Sequence, residues 1–401
     1  MKKKNKHVLK RHRFIYWFLR YGVKLFVRIV WGYSSKAKYK IAKGERVLVL
    51  SNHQTDFDPL CIVPAFNRPV YPVGTDTLFA GKLSCHFFGK TLGMIPKRKG
   101  TADLRASVSM LQTVQEGGSL LLFPEGNRTY AEFQYYINEN FPKFVKSLKC
   151  TLLLFRLEGG TGTQPRFKFK RRKGKFTGRI TKVLKYDEYK DIPDEELLKI
   201  IKDGIRFYDS ESGQLFKSKT RAQYLERMLF VCPKCGAMHK LVSHEEHLTC
   251  TNCGLDLTFG EDLHLYSEDP SFKFNKLVDY WNYQKRVIKD MEIKKGETIF
   301  HDNNIELYIA NPYTKRKLIY EGDVTLTDEE FIFGETHLPV REIKYGSVLS
   351  GKKLIFTIGE TNYLLKGHPR FNPLKYIFVL NKLDTIMKEK HSDDYYNLEE
   401  N

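Results

Sequence analysis

Two short, wholly apolar runs, Val47-Leu-Val-Leu50 and Leu120-Leu-Leu-Phe123, constrain this chain more than any other feature. Each is bounded by polar residues and too short for a buried helix, so each reads as a buried strand. Between them, Thr101 can cap a helix over about 102–116 that carries Leu104, Val108 and Leu111 on one side and ends at Gly117-Gly118. Strands alternating with helical spacing over residues 45–160 give the α/β signature.

Both runs deliver chemistry at their ends. The first leads into Asn52-His53-Gln-Thr-Asp-Phe-Asp58, the second into Pro124-Glu125-Gly126-Asn127-Arg128-Thr129. Functional groups of α/β sheets gather at strand ends in this way. A His five residues before an Asp can fold so that the carboxylate meets one ring nitrogen and the other nitrogen faces a cleft, the pairing of a general base with its orienting group. The competing reading is a capping Asp and a surface His. Between the two stations, Gly93-Met-Ile-Pro96-Lys97-Arg98-Lys99-Gly100 places three cations after an apolar turn, suited to a phosphate.

In these residues the chain resembles the glycerolipid acyltransferase family, over roughly residues 15–205. The Asn-His-x4-Asp box is matched by Asn52, His53 and Asp58, and the Phe-Pro-Glu-Gly-x-Arg-Ser/Thr box by Phe123 to Thr129. In the second box the usual Arg falls on Lys99, with Arg98 one place earlier; in the fourth, near Thr151-Leu-Leu-Leu-Phe155-Arg156, the usual Pro is absent. The resemblance implies a mixed sheet flanked by helices. It also implies that His53 takes the proton of an acceptor hydroxyl that attacks an acyl-CoA or acyl carrier protein thioester, with Asp58 fixing the His tautomer. Arg98, Lys99 and Arg128 would hold the acceptor's phosphate, and Asn52, Glu125 and Gly126 would organise its site. The alternative for Glu125 is a structural carboxylate paired with Arg128. The expected product is phosphatidic acid from 1-acylglycerol-3-phosphate, or a related lipid.

Charge points to the same surroundings. Lys+Arg exceeds Asp+Glu by 67 − 47 = 20, which implies an anionic partner. Residues 1–40 hold thirteen Lys/Arg and no acid, and residues 166–182 hold nine. In the first segment Arg20, Lys24 and Arg28 recur at a spacing of four, leaving Trp17, Phe18, Tyr21, Leu25 and Ile29 on the rest of an amphipathic helix. Such a helix lies in the headgroup plane of an anionic membrane. No apolar stretch is long enough for a conventional transmembrane helix. We therefore expect a peripheral protein on the cytoplasmic face of the membrane. The run over 166–182 reads as two strands around a tight Arg171-Arg-Lys-Gly174 turn, solvated or touching lipid through Phe167 and Phe169.

Cys232-Pro-Lys-Cys235 and Cys250-Thr-Asn-Cys253, fourteen residues apart, have zinc-ribbon spacing: two knuckles supply four thiolates to a structural Zn2+. Strand-like runs from Glu306 to Leu365 and a helix opened by Pro373 then suggest a β-rich α+β domain, similar in pattern to pleckstrin-homology barrels. The expected organisation is a basic membrane-associating segment (1–40), the acyltransferase domain (41–210), the ribbon (226–260), the β-rich domain (295–390) and an acidic tail (391–401). Two other functions compete: a zinc-ribbon nucleic-acid-binding protein, and a non-catalytic lipid-binding scaffold. Against the first, the cations sit away from the ribbon; against the second, His53 and Asp58 are both intact.

Overall fold

The computed structural model describes residues 7–79, 85–97, 103–168, 170–312 and 314–383. Arg98, Lys99, Phe169 and the acidic tail, all singled out above, lie outside the described residues.

The first half is built on one seven-stranded sheet, ordered β1-β7-β6-β2-β5-β3-β4. Its strands are β1 (Tyr33–Ser34), β2 (Val47–Ser51), β3 (Val70–Thr75), β4 (Ile95–Lys97), β5 (Ser119–Leu122), β6 (Thr151–Glu158) and β7 (Phe176–Leu184). β2 pairs in parallel with both β5 and β6, whereas β6 and β7 are antiparallel, so the sheet is mixed as expected. β2 and β5 are buried along their whole length, which is why their sequences show no alternation. Alternate side chains feed two cores, one under the helices Leu104–Gln115 and Asp194–Ile205, the other under the end of the N-terminal helix.

That N-terminal helix, α1, spans Lys10–Trp31. Its inward stripe includes His12, Tyr16, Arg20, Val27 and Trp31: Tyr16 donates to the Val63 carbonyl at 2.6 Å, and Arg20 to that of Phe66 at 3.3 Å. Arg20 thus turns toward the protein, whereas Lys24 and Arg28 are exposed. The outward face is strongly apolar, with Phe14, Trp17, Phe18, Leu25 and Ile29 all exposed. No helix among the described residues is long and apolar enough to cross a membrane.

Two other expectations change. The helix Leu104–Gln115 is capped by Asp103, whose carboxylate accepts from Ala106 N, and it buries Ala106, Met110, Thr113 and Val114. Leu104 and Val108 instead remain 77% and 61% exposed. Among the described residues of the basic run, the second strand, β7, forms and a first strand does not. Arg166, Lys168 and Arg172 are buried, which removes them from any surface offered to lipid or nucleic acid.

In the second half, four antiparallel strands over residues 241–266 carry the second cysteine pair. A further seven-stranded antiparallel sheet follows over residues 300–366, closed by the helix Leu374–Lys382. The helix Leu277–Asp290 was not anticipated, although Leu277, Tyr280, Trp281, Gln284 and Ile288 have helical spacing and form its buried face. One apolar core runs through all of these elements. It also takes in Tyr130, Phe133, Tyr135 and Phe167 from the first half, so the two halves share a core.

Candidate active site

β2 ends at Ser51, and the chain turns at once into the first box. Asp58 is the first residue of a short helix, α2 (Asp58–Ile62), and is completely buried. A buried carboxylate is tolerable only with partners. Asp58 accepts from Gln54 N at 2.6 Å, Thr55 N at 3.0 Å, Thr55 Oγ1 at 2.5 Å and His53 Nδ1 at 2.8 Å. An ionised carboxylate offers only lone pairs, so Nδ1 carries the proton and the neutral ring keeps its lone pair on Nε2. The imidazole lies against Phe123 at the end of β5, ring centroids 4.4 Å apart, and its side chain is 22% exposed. The His53 ring is thus oriented by Asp58, supported by an aromatic face and partly exposed.

The second station meets the first through the backbone. Thr129 N donates to the His53 carbonyl at 3.1 Å. The Glu125 carboxyl is buried and accepts from Tyr135 N at 3.1 Å. Burial pushes it up to about 8, although the amides of Tyr135 and His53 pull the other way. Glu125 therefore holds a proton at neutral pH. Arg128 pairs with Asp56 at 3.1 Å and donates Nε to the Gln54 carbonyl at 2.6 Å and Nη2 to that of Gln164. The Glu125–Arg128 pairing weighed from the sequence is not the arrangement adopted: each residue has other partners. Gly126, at φ +66°, makes the turn between them. Asn52 bridges β2 to β6, its amide meeting both N and O of Leu157 at 2.8 and 2.9 Å.

Several residues around the site escaped the sequence reading. Gln54 accepts from Gly160 N at 2.9 Å, and buried Asp209 accepts from Gly159 N and Gly162 N at 2.6 and 2.7 Å. Gly159 has φ +87° and sits against the Lys175 carbonyl, where any Cβ would collide. The Gly159-Gly160-Thr-Gly162 run directly after β6 was the available signal for this tight loop. Phe57, inside the first box, stacks on Trp31 of α1 at 3.9 Å, so the apolar helix adjoins the loop that carries His53.

Far from this site, the four Sγ atoms of Cys232, Cys235, Cys250 and Cys253 lie within 4.8 Å of one another. Cys232–Cys253 and Cys235–Cys250 are 3.6 and 3.8 Å apart. Sulfurs around a tetrahedral ion with bonds of about 2.3 Å stand roughly 3.8 Å apart, so the set fits one metal ion.

Residues 34–156 match the family model described as Acyltransferase. This segment contains both boxes, the dyad and the Pro-Glu-Gly turn, and it is an acyltransferase-family domain, as the boxes led us to expect. Among solved structures, the 1-acyl-sn-glycerophosphate (LPA) acyltransferase PlsC from Thermotoga maritima is similar at 15% identity, with a TM-score of 0.40, over 47% of this chain and 77% of that one. No curated protein matches the chain.

The Glu125 carboxyl makes stability depend on pH with a definite sign. Its folded value, about 8, lies above the ordinary 4.5. The stability it contributes is therefore full below about 4.5 and lost as pH rises through about 8. Glu132 (about 8) and Asp209 (about 6), also raised chiefly by burial, act in the same direction. Between about pH 5 and about pH 9 the wild-type melting temperature should fall relative to that of Glu125→Gln. Identical slopes for the two proteins would contradict the buried, protonated state.

Proposed function

We propose that the protein is a peripheral membrane O-acyltransferase. It transfers a fatty acyl group from acyl-CoA or acyl carrier protein to a lysophospholipid hydroxyl, with 1-acylglycerol-3-phosphate as acceptor and phosphatidic acid as product. The observation that carries this reading is the His53 Nδ1–Asp58 contact at 2.8 Å, which leaves Nε2 as the accessible base. Nε2 takes the acceptor's hydroxyl proton as its oxygen attacks the thioester carbonyl carbon. Asp58 stabilises the imidazolium. Collapse of the tetrahedral adduct breaks the C–S bond, and the imidazolium returns the proton to the departing thiolate. Atoms balance without a covalent enzyme intermediate. Arg98 and Lys99 supply charge for the acceptor's phosphate, and Arg128 holds the Gln54 and Gln164 carbonyls.

The exposed apolar face of α1 supports docking to an anionic bilayer, with Lys24 and Arg28 at the headgroups. The Trp31–Phe57 stack would bring that bilayer beside the dyad. The cysteine set is read as a Zn2+ site: zinc there would cross-link the two knuckles, and with four thiolate ligands it has no open position for a reacting water. Metal analysis of the purified chain should find about one zinc by that ligand count, and none would refute it.

Acyl transfer from a labelled acyl-CoA to a panel of lysolipids tests the reaction. His53→Ala should lose roughly 10²–10⁴ in rate with its melting temperature kept. Full activity in that variant would refute the mechanism. For docking, Lys24→Glu with Arg28→Glu loses two contacts worth about 1 kcal/mol each, so partitioning to anionic vesicles should drop roughly thirtyfold or more. Unchanged co-sedimentation would show that α1 is not the docking face.

A further inference from the structure

The Pro-Glu-Gly turn belongs to a segment with no helix or strand from residue 123 to 138. Yet Tyr130, Ala131, Phe133 and Tyr135 in it are buried. A buried irregular segment needs partners beyond a ladder of its own. Its apolar side chains pack into the core built by the second half of the chain.

Trp281, fully buried on the helix Leu277–Asp290, stacks on Tyr130 at 5.5 Å and meets Phe133 at 5.4 Å. Its helix is tied to the first cysteine knuckle: the Gln284 carboxamide accepts from Phe230 N at 2.6 Å and donates to the Met228 carbonyl, and Tyr280 donates to that of Val231 at 2.8 Å. A second tie is Arg166. Its guanidinium lies over the Tyr130 ring at 4.0 Å and donates to two carbonyls at once, Arg128 O at 2.5 Å and Val348 O at 2.6 Å. Val348 is in the strand Ile343–Leu349 of the C-terminal sheet. Gly351, just beyond, has φ +69° and packs so tightly on the Arg166 carbonyl that a Cβ would collide with it. Arg227 adds a third link, donating to Phe167 O at 3.0 Å and to Pro369 O at 2.8 Å.

We propose that the C-terminal half is a clamp that sets the geometry of the acceptor-side loop, residues 125–135, with Arg166 as the positioning residue at the seam. The link to acceptor binding rests on the functional reading given above; the clamping of the loop does not. A forked cation is what the seam requires, because only a guanidinium can donate to two carbonyls in divergent directions from one planar group. The Trp281 and Arg166 ties just described run to the loop. Their effect therefore reaches the reaction through Glu125, Arg128 and the Thr129–His53 hydrogen bond.

The test uses the full chain and two variants. Arg166→Lys keeps the charge and loses the fork; Trp281→Phe keeps an apolar ring and loses area. Hydrogen exchange is followed at the Thr129 and Tyr135 amides, with the β2 and β5 amides as controls, alongside steady-state kinetics with acyl-CoA and a lysophospholipid. In both variants the two loop amides should exchange roughly tenfold faster or more while the controls stay unchanged. Acceptor KM should rise roughly fivefold or more, with donor KM within about twofold of wild type. Should one variant fail to fold, the other decides. Loop amides protected as in wild type would overturn the clamp. Loosened amides with an unchanged acceptor KM would overturn its role in acceptor binding. If wild-type protein transfers no acyl group, the functional reading fails on its own, and the exchange data still decide whether the clamp exists.

Discussion

The structure of the site depends on how Asp58 is solvated. Its carboxylate is wholly buried, and the chain meets that cost within six residues by wrapping its own backbone around it. Two amides, one hydroxyl and one imidazole nitrogen converge on two oxygens. Because the amides of Gln54 and Thr55 hold the carboxylate from one side, it can reach only one ring nitrogen of His53. The buried anion thus does two things at once: it shapes the turn after β2, and it selects the tautomer. Everything else in the site is arranged around that turn, from Phe123 under the ring to the Thr129 amide on the His53 carbonyl.

This locality explains why the dyad was legible in the sequence. Residues 53 and 58 meet across a strand end and a short helix: their spacing allows the contact, and the match to the Asn-His-x4-Asp box points to it. The central strands were legible for a similar reason, since burial on both faces leaves continuous apolar runs. Orientation was harder to read. The spacing of Arg20, Lys24 and Arg28 marks a stripe but not which neighbour faces inward, and Arg20 turns to the Phe66 carbonyl. The helix Leu104–Gln115 misled in the same way, burying Ala106 and Thr113 while leaving Leu104 outside.

The basic run was the least legible feature, and the physical reason lies in its partners. Charge in a sequence suggests solvent, yet Arg166, Lys168 and Arg172 donate to backbone carbonyls and hydroxyls of segments far along the chain. Burial lowers Arg172 to about 9, with Glu132 pulling it back up. No local pattern reports which carbonyls will be left over where two halves of a chain meet. The second half, which reads as an attachment from residue order alone, thereby becomes continuous with the loop that carries Glu125 and Arg128.

The central claim is that Asp58 holds His53 with its proton on Nδ1 and a free lone pair on Nε2. Nitrogen NMR of the histidine side chains tests it directly, with His53 assigned by His53→Ala. Spectra are recorded on the neutral imidazole form, whose two tautomers give distinct nitrogen signals. The Nδ1–H tautomer should dominate in the wild-type protein and give way to a mixture in Asp58→Asn. A His53 ring carrying its proton on Nε2 in the wild-type protein would contradict the account.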